Sequence, residues 1–302
     1  MREIAERAAV LALVHRARGE WHLLAQLLEE TGSAARVIDQ EWSGFESPEL
    51  ISAIVDFDVS AEEMAEYEAL IEALEKEGVR LVTVLDDDYP TNLRLVYNRP
   101  PFLFVRGELQ SADERAIAVV GTRQASDAGR EQAARLAREL AGSGVTVLSG
   151  LARGIDTVAH TSCLESGGRT VAVIGTGIRR TYPAENRDLA ARIVAEGGAI
   201  VSQFWPDSPP TRWSFPMRNV TMSGMAIGTV VVEASSTSGA RMQARLALEH
   251  GKRLFLVESL VMHEPWARSY AERPGAAVVQ SVDDVLAALD AELRPVEQLT
   301  FI

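Results

Sequence analysis

Two patterns of hydrophobic and polar positions follow one another along the chain. In the first quarter, apolar residues recur at helical spacing over residues 4–13 and 21–28. Ser60 followed by Glu63 is typical of a capping box, which predicts a helix from there to about Lys76. The amino-terminal part is therefore expected to be helical.

Further along, apolar runs of four to seven residues alternate with helical stretches. Buried strands of the second pattern are predicted at residues 116–120, 145–148, 170–174, 199–203, 229–232, 253–257 and 276–279, after two short strands at 79–85 and 102–105. Helices are predicted between them, among others at 129–141, 184–195 and 241–250. This alternation indicates parallel strands joined by right-handed crossovers. The predicted fold is α/β, a doubly wound, mostly parallel Rossmann-like sheet. Its predicted units are a small N-terminal helical domain (1–75), the sheet domain (76–290) and a tail (291–302).

The distribution of charge matters more here than its total. The net charge is −13, but residues 1–110 carry 10 basic and 22 acidic side chains, whereas residues 111–260 carry 17 basic and 14 acidic. The sheet region is thus mildly basic, and its positive charge is almost entirely arginine, which suits bidentate phosphate contacts. Arginine is also common in alanine-rich sequences for reasons of genome composition, so this bias alone does not establish an anionic ligand.

Several classes of protein are excluded or disfavoured by composition. No apolar run has the roughly 18 residues of a membrane span, and the first residues lack the features of a signal peptide. The single Cys163 excludes an internal disulfide framework. Asp156 and His160 lie one helical turn apart, but no third metal ligand is evident. We therefore expect a cytoplasmic protein without membrane attachment, metal or cofactor.

Candidate binding residues cluster where predicted strands end, which is where ligands bind in open α/β sheets. After the strand at 116–120, a glycine turn and a helix start offer hydrogen-bond donors for an anion at Gly121, Thr122, Arg123 and Ser126. After the next strand, residues that permit close backbone approach are Ser149, Gly150 and Gly154, with Asp156 as a helix cap or ligand. Each motif alone is also compatible with an ordinary strand-to-helix turn.

Two further strand ends carry unusual residues. Gly175 and Gly177 form a Gly-x-Gly after a strand and are candidate phosphate-binding residues. Residue 180 is arginine where a dinucleotide fingerprint has glycine, which disfavours an NAD-dependent oxidoreductase. Phe215, Arg218 and Asn219 lie in a proline- and tryptophan-rich segment that we interpret as a loop. An aromatic ring beside arginine is what base stacking and phosphate binding require, although such a ring is also common in a core.

The order of these motifs resembles the DprA/Smf family. The motifs are GTR with a following Ser at 121–126, SGLARGID at 149–156, GTGI with YPAEN at 175–186, FPMRN at 215–219 and VVEA with SG at 231–239. The resemblance extends over about residues 85–258. It implies a single-stranded DNA-binding protein that holds backbone phosphates, acts as a homodimer and presents DNA to the RecA recombinase during natural transformation. By the same resemblance, Ser238 and Gly239 join the candidate phosphate-binding residues.

This sequence also departs from the family pattern. Met217 and Val220 stand on either side of Arg218-Asn219 where the family usually has arginine, and Glu258 would repel phosphate if it faced the groove. Arg241 is a candidate for replacing part of the missing positive charge. Binding through the shared fold is still expected, while retention of RecA loading is left open by these changes.

Other functions remain as alternatives. A nucleotide-binding sensor of the same superfamily is the main one, since a site that binds phosphate does not by itself distinguish a free nucleotide from a nucleic-acid strand. A nucleotide phosphoribohydrolase is disfavoured because residues 233–239 lack its double-glycine loop and following glutamate. A scaffold that binds only protein is the third alternative. No Ser/His/Asp or Cys/His arrangement, paired carboxylates or P-loop is found, so we expect a protein that is not an enzyme.

Overall fold

The computed structural model describes residues 2–17, 19–44, 47–55 and 59–293. Within these residues, the strands of the single sheet are β1 (Val79–Thr83), β2 (Phe102–Gly107), β3 (Ala116–Val120), β4 (Thr146–Ser149), β5 (Thr170–Val173), β6 (Ala199–Ser202), β7 (Gly228–Val231), β8 (Arg253–Val257) and β9 (Ala276–Val279). All nine predicted strands are present, with boundaries within two residues of those predicted.

Helices precede the sheet and separate its strands. Those of the amino-terminal part are α1 (Arg2–Arg16), α2 (Trp21–Thr31), α3 (Ala34–Ile38), α4 (Pro48–Ile54) and α5 (Ala61–Lys76). Those of the sheet region are α6 (Thr91–Arg94), α7 (Asp127–Gly142), α8 (Ile155–Glu165), α9 (Arg187–Ala195), α10 (Ser214–Met225), α11 (Gly239–Glu249), α12 (Glu258–His263), α13 (Pro265–Ala271) and α14 (Val282–Leu293), with 3₁₀ turns at Ser111–Arg115 and Ala184–Asn186. Most of the predicted tail lies outside the described residues.

The strand order is β1-β2-β6-β5-β4-β3-β7-β8-β9. β1 and β2 are antiparallel to their neighbours, and the other strands pair in parallel. The chain therefore crosses over in one direction from β3 through β4 to β6, and in the other direction from β7 to β9. The predicted doubly wound α/β fold is confirmed, and its topological switch point lies between β3 and β7.

Local sequence explains where helices begin. Ser60 accepts a hydrogen bond from the Glu63 N–H at 3.1 Å, which confirms the predicted cap of α5. The segment containing Phe215 was expected to be a loop, but it forms the first turn of α10. Pro216 is tolerated there because the first N–H groups of a helix have no intrahelical acceptor. The prediction of a loop was therefore wrong at this position.

The amino-terminal helices pack against the antiparallel end of the sheet. Trp205 lies in this contact, with ring centroids 6.1 Å from Tyr67 and 6.0 Å from Phe102. Glu29 of α2 pairs with Arg94 at 2.7 Å and also with Arg99. Trp205 thus contributes to packing and not to a nucleic-acid surface. None of the described helices combines the length and apolar character needed to cross a bilayer.

Candidate functional site

A cleft of about 520 Å³ opens at the carboxyl ends of β3, β4 and β7, beside the switch point. Its walls come from the loops after these three strands and from one face of α10. The lining includes residues predicted from sequence, namely Gly121, Thr122, Arg123, Asp156, Phe215, Arg218, Asn219, Ser238 and Gly239. The fold therefore brings together motifs that are more than 110 residues apart in sequence.

The turn after β3 is held by Glu233, which lies in the loop after the neighbouring strand β7. The Thr122 N–H donates to the Glu233 backbone oxygen at 2.6 Å. The Glu233 carboxylate accepts from both the N–H and the hydroxyl of Ser126, each at 3.0 Å, and Ser126 in turn caps α7 through the Gly129 N–H. An internal carboxylate thus occupies the anion position at the α7 amino terminus. Ser126 is a helix cap here, and its hydrogen-bond donors are already used.

Arg123 stands at the mouth of the cleft with its charge available. The side chain is exposed, and its guanidinium lies 5.1 Å from the centroid of the Phe215 ring. Among the described residues, no carboxylate or other hydrogen-bond partner contacts this guanidinium. The cation is therefore positioned by an aromatic face and remains free to bind an external anion.

The loop after β4 is braced by a buried carboxylate. Asp156 accepts hydrogen bonds from the N–H groups of Gly150 at 3.1 Å and Ala152 at 3.3 Å. Burial raises the pKa of Asp156, while the Arg218 charge and these hydrogen bonds oppose that shift. Gly154 has φ +74°, and a Cβ at this position would lie 2.3 Å from the Thr122 oxygen. Asp156 and Gly154 therefore hold the loop after β4 in the conformation that forms one wall of the cleft.

Ser149 belongs to the same supporting layer. Its hydroxyl donates to the Val119 backbone oxygen at 2.7 Å, and its side chain is fully buried. It ties the end of β4 to β3 and offers no group to the cleft.

Arg218 lies on the floor of the cleft and is only 6% exposed. Its Nη1 donates to the backbone oxygens of Gly150 at 2.6 Å and Val173 at 2.7 Å, and Nε donates to the Asn219 side chain at 3.0 Å. Burial lowers the pKa of Arg218, an effect that the Asp156 charge opposes. Nη2 has no hydrogen-bond partner among the described residues. One nitrogen of a buried cation is therefore left for a ligand.

The close approach of Arg218 explains why residue 150 is glycine. A Cβ on Gly150 would lie 2.1 Å from Arg218 Nη1. A side chain at residue 150 would displace the Arg218 guanidinium from its hydrogen bonds. The glycine at this position therefore makes room for the arginine, and it affects a ligand only through Arg218.

An aromatic platform lies beside the cleft. The Phe215 ring centroid is 5.9 Å from that of Tyr182, and a Cβ on Gly175 would lie 2.8 Å from the Phe215 ring. Tyr182 is 45% exposed. It was not among the predicted site residues, although it lies within the quoted YPAEN motif. The contact between the two rings joins segments 33 residues apart and could not be inferred from either motif alone.

Gly177 has a different role from the one predicted. Its N–H donates to the Ser208 oxygen at 2.9 Å, and a Cβ there would lie 2.1 Å from the Trp205 oxygen. Gly177 is buried against the segment that leads to α10 and does not line the cleft. It positions that segment, and therefore the platform, without contacting a ligand.

The third wall is the amino end of α11. Ser238 caps this helix by accepting from the Ala240 N–H at 3.2 Å, and the space in front of Gly239 is open. Asn219 donates to the Gly239 oxygen at 3.4 Å and so connects this wall to Arg218. Arg241 does not line the cleft, because its guanidinium donates to the Ser236 oxygen at 2.9 Å.

The departures from the family pattern lie outside the cleft. Met217 and Val220 do not line it, since α10 directs Arg218, Asn219 and Met222 inward. Glu258 accepts from Gln280 at 2.8 Å in a separate depression beside α7. The expectation that these three residues alter the charge of the groove is therefore wrong for this cleft.

Besides Tyr182, two further contributors were missed from the sequence. Glu233, within the VVEA motif, holds the β3–α7 turn, and Arg153 lines the cleft while its charge is paired with Glu185 at 2.5 Å. The contact between Glu233 and the cap of α7 could be recognised only once the pairing of β3 with β7 was known. No cluster of metal-ligating side chains is found among the described residues.

Fold and cleft together define a doubly wound α/β protein whose binding site lies at the switch point of the sheet. Residues 80–290 match the family model described as DNA recombination-mediator protein A. The chain belongs to this family, as the order of its motifs indicated.

Individual relatives agree with this assignment. The chain is 41% identical over 182 residues to "Protein Smf" of Escherichia coli strain K12, a match that covers 60% of this chain and 49% of the relative. It is 32% identical over 223 residues to "DNA processing protein DprA" of Bacillus subtilis, covering 73% and 74% of the two chains. The chain thus spans about half the length of the Escherichia coli relative.

Solved structures show the same architecture. The crystal structure of DNA processing protein A from Streptococcus pneumoniae superposes with a TM-score of 0.71 at 28% identity, covering 93% of this chain and 97% of that one. DNA processing protein A from Helicobacter pylori, whose structure was reported for its unique single-stranded DNA binding mode, gives a TM-score of 0.62 at 23% identity, covering 71% and 96%. The latter likeness is one of fold.

Proposed function

We propose that this protein binds single-stranded DNA in the cleft between β3, β4 and β7, with a backbone phosphate between Arg123 and Arg218. The observation that carries the proposal is a pair of guanidinium groups with unused hydrogen-bond donors, one at the mouth of the cleft and one on its floor. Arg123 is exposed without an ion-pair partner, and the buried Arg218 keeps Nη2 free. A phosphate oxygen is the acceptor that suits such guanidinium groups.

The aromatic platform favours a single strand over a duplex. Bases can stack on Phe215 and Tyr182 only when they are not paired within a helix. Because phosphate contacts and stacking ignore base identity, little sequence preference is expected. The single-stranded DNA binding mode reported for the Helicobacter pylori protein supports this choice.

The site does not favour catalysis. Asp156 is the one carboxylate among the described lining residues, and it is buried and held by two backbone N–H groups. We therefore propose that the cleft binds its ligand without reacting with it, since this carboxylate is poorly placed to act as a general base. The proposed protein is a binding protein; homodimer formation and presentation of the strand to the RecA recombinase are further parts of the proposal, and they rest on family membership.

Parallel titrations test the proposal. Fluorescence anisotropy of a labelled oligonucleotide should show binding to single strands, weaker binding to the matched duplex, and a log–log salt slope of about −0.7 per phosphate contacted. Unlabelled nucleotides serve as competitors. Equal affinity for duplex, or no dependence on salt, would contradict the proposal. Displacement by mononucleotides as effective as by the oligonucleotide would support a nucleotide sensor instead.

A further inference from the structure

Trp213 is unusual among the tryptophans of this protein because its ring faces solvent. The side chain is 66% exposed, whereas Trp266 is 7% exposed and Trp205 packs on Tyr67 and Phe102. A large ring left in water forgoes the hydrophobic stabilisation that burial would give it. Neither the fold nor the cleft described above uses this ring.

A free cation accompanies the exposed ring. The Arg212 guanidinium lies 4.7 Å from the centroid of the Trp213 ring, and it has no hydrogen-bond or ion-pair partner among the described residues. The carboxylate of Asp207, five residues before Arg212 in the sequence, is paired with Arg179 at 2.8 Å. The surface around Trp213 is therefore aromatic and locally positive, which matches a polyanion that carries aromatic bases.

The position of Trp213 connects it to the proposed binding cleft. It immediately precedes α10, two residues before Phe215, so the two Cα atoms are separated by at most about 7 Å. Phe215 belongs to the platform beside the cleft, and Trp213 is the N-cap residue of the same helix. A strand that leaves the platform across the amino end of α10, the positive end of its dipole, meets Trp213 next.

We propose that Trp213 and Arg212 form a second stacking station for single-stranded DNA, which binds the nucleotide that leaves the cleft. This inference rests on the proposed function, because it extends the path of the same strand. It predicts that the protein binds longer strands more tightly than the cleft alone would allow. Single-stranded DNA is favoured over a protein partner because the ring carries an unpaired arginine on its face.

The test compares two lengths of oligo(dT) and two substitutions. Trp213→Gln should weaken binding of a strand of about 15 nucleotides by about tenfold, which is the scale of one lost base stack. Its affinity for a strand of about 4 nucleotides should be unchanged. Trp213→Phe keeps an aromatic face and should retain most of the affinity. Tyr97→Gln removes another exposed ring, near the far end of α10, and serves as the matched control.

Tryptophan fluorescence gives a second readout. The long strand should quench the emission of the parent protein, and Trp213→Phe should lose most of this quenching while it still binds. The second station is overturned if Trp213→Gln leaves the affinity for both strands unchanged, or weakens binding of both strands equally. If the parent protein binds neither strand, the proposed function itself fails, so the two failures are distinguishable.

Discussion

Arg123 and Arg218 were both expected from sequence to bind phosphate, but the structure predicts opposite consequences of removing them. Arg218 is buried, donates to two backbone oxygens and to Asn219, and balances the buried charge of Asp156. Arg123 is exposed and contacts mainly the face of Phe215. Arg218→Ala should therefore damage the fold, whereas Arg123→Ala should damage only binding.

The magnitudes follow from these contacts. Each hydrogen bond from a charged group contributes about 1.5–3 kcal/mol, and removing one partner of a buried charge pair costs about 3–5 kcal/mol. Because these terms overlap, we expect Arg218→Ala to lower the free energy of unfolding by about 3–5 kcal/mol. Arg123→Ala should change it by about 0.5 kcal/mol or less, but should weaken single-stranded DNA binding by about 1.5–3 kcal/mol.

Urea unfolding and fluorescence anisotropy on the same preparations separate the two effects. Arg130→Ala is the matched control, because Arg130 is exposed on α7 and does not line the cleft. Equal unfolding midpoints for Arg218→Ala and Arg123→Ala would refute the reasoning, since they would show that the buried contacts of Arg218 contribute nothing to stability.

Two further predictions concern groups behind the cleft. Glu233→Ala removes the acceptor of both Ser126 donors and should cost about 1–2 kcal/mol of stability. Glu233→Gln keeps an acceptor oxygen, so an equal loss of thermal stability in both variants would contradict this role. Burial lowers the pKa of His160 from 6.5 to about 3, so the unfolded chain binds a proton that the native state excludes. Stability should thus fall as pH drops from about 6.5, by up to about 1.4 kcal/mol per pH unit. Urea titrations at several pH values should show that the free energy of unfolding of His160→Gln depends less steeply on pH. Asp156, whose raised pKa acts in the opposite sense, is present in both proteins.

The sequence was sufficient for the strands and for the edge of the sheet where the cleft lies. Strand ends could be predicted because apolar runs stop there at glycine, and parallel strands place their carboxyl ends together. The roles of individual residues were harder to infer. Gly150 was interpreted as a site of close ligand approach, and Gly175 and Gly177 as phosphate-binding residues. Each accommodates a protein group instead, in the order Arg218, Phe215 and the Trp205 backbone. A glycine reveals that something approaches closely, but only the tertiary structure identifies it.

The same distinction explains how an acidic chain can hold a basic cleft. The net charge of −13 contributes little inside the cleft, because field strength there depends on which charges remain unpaired nearby. Glu233 is satisfied by Ser126, and Glu185 by Arg153. The exposed Arg123 has no ion-pair partner among the described residues, and Arg218 keeps Nη2 unbonded although Asp156 balances part of its charge. We therefore expect the salt dependence of binding to follow Arg123 and Arg218. It should be insensitive to the acidic amino-terminal part, which carries most of the net negative charge but packs at the antiparallel end of the sheet.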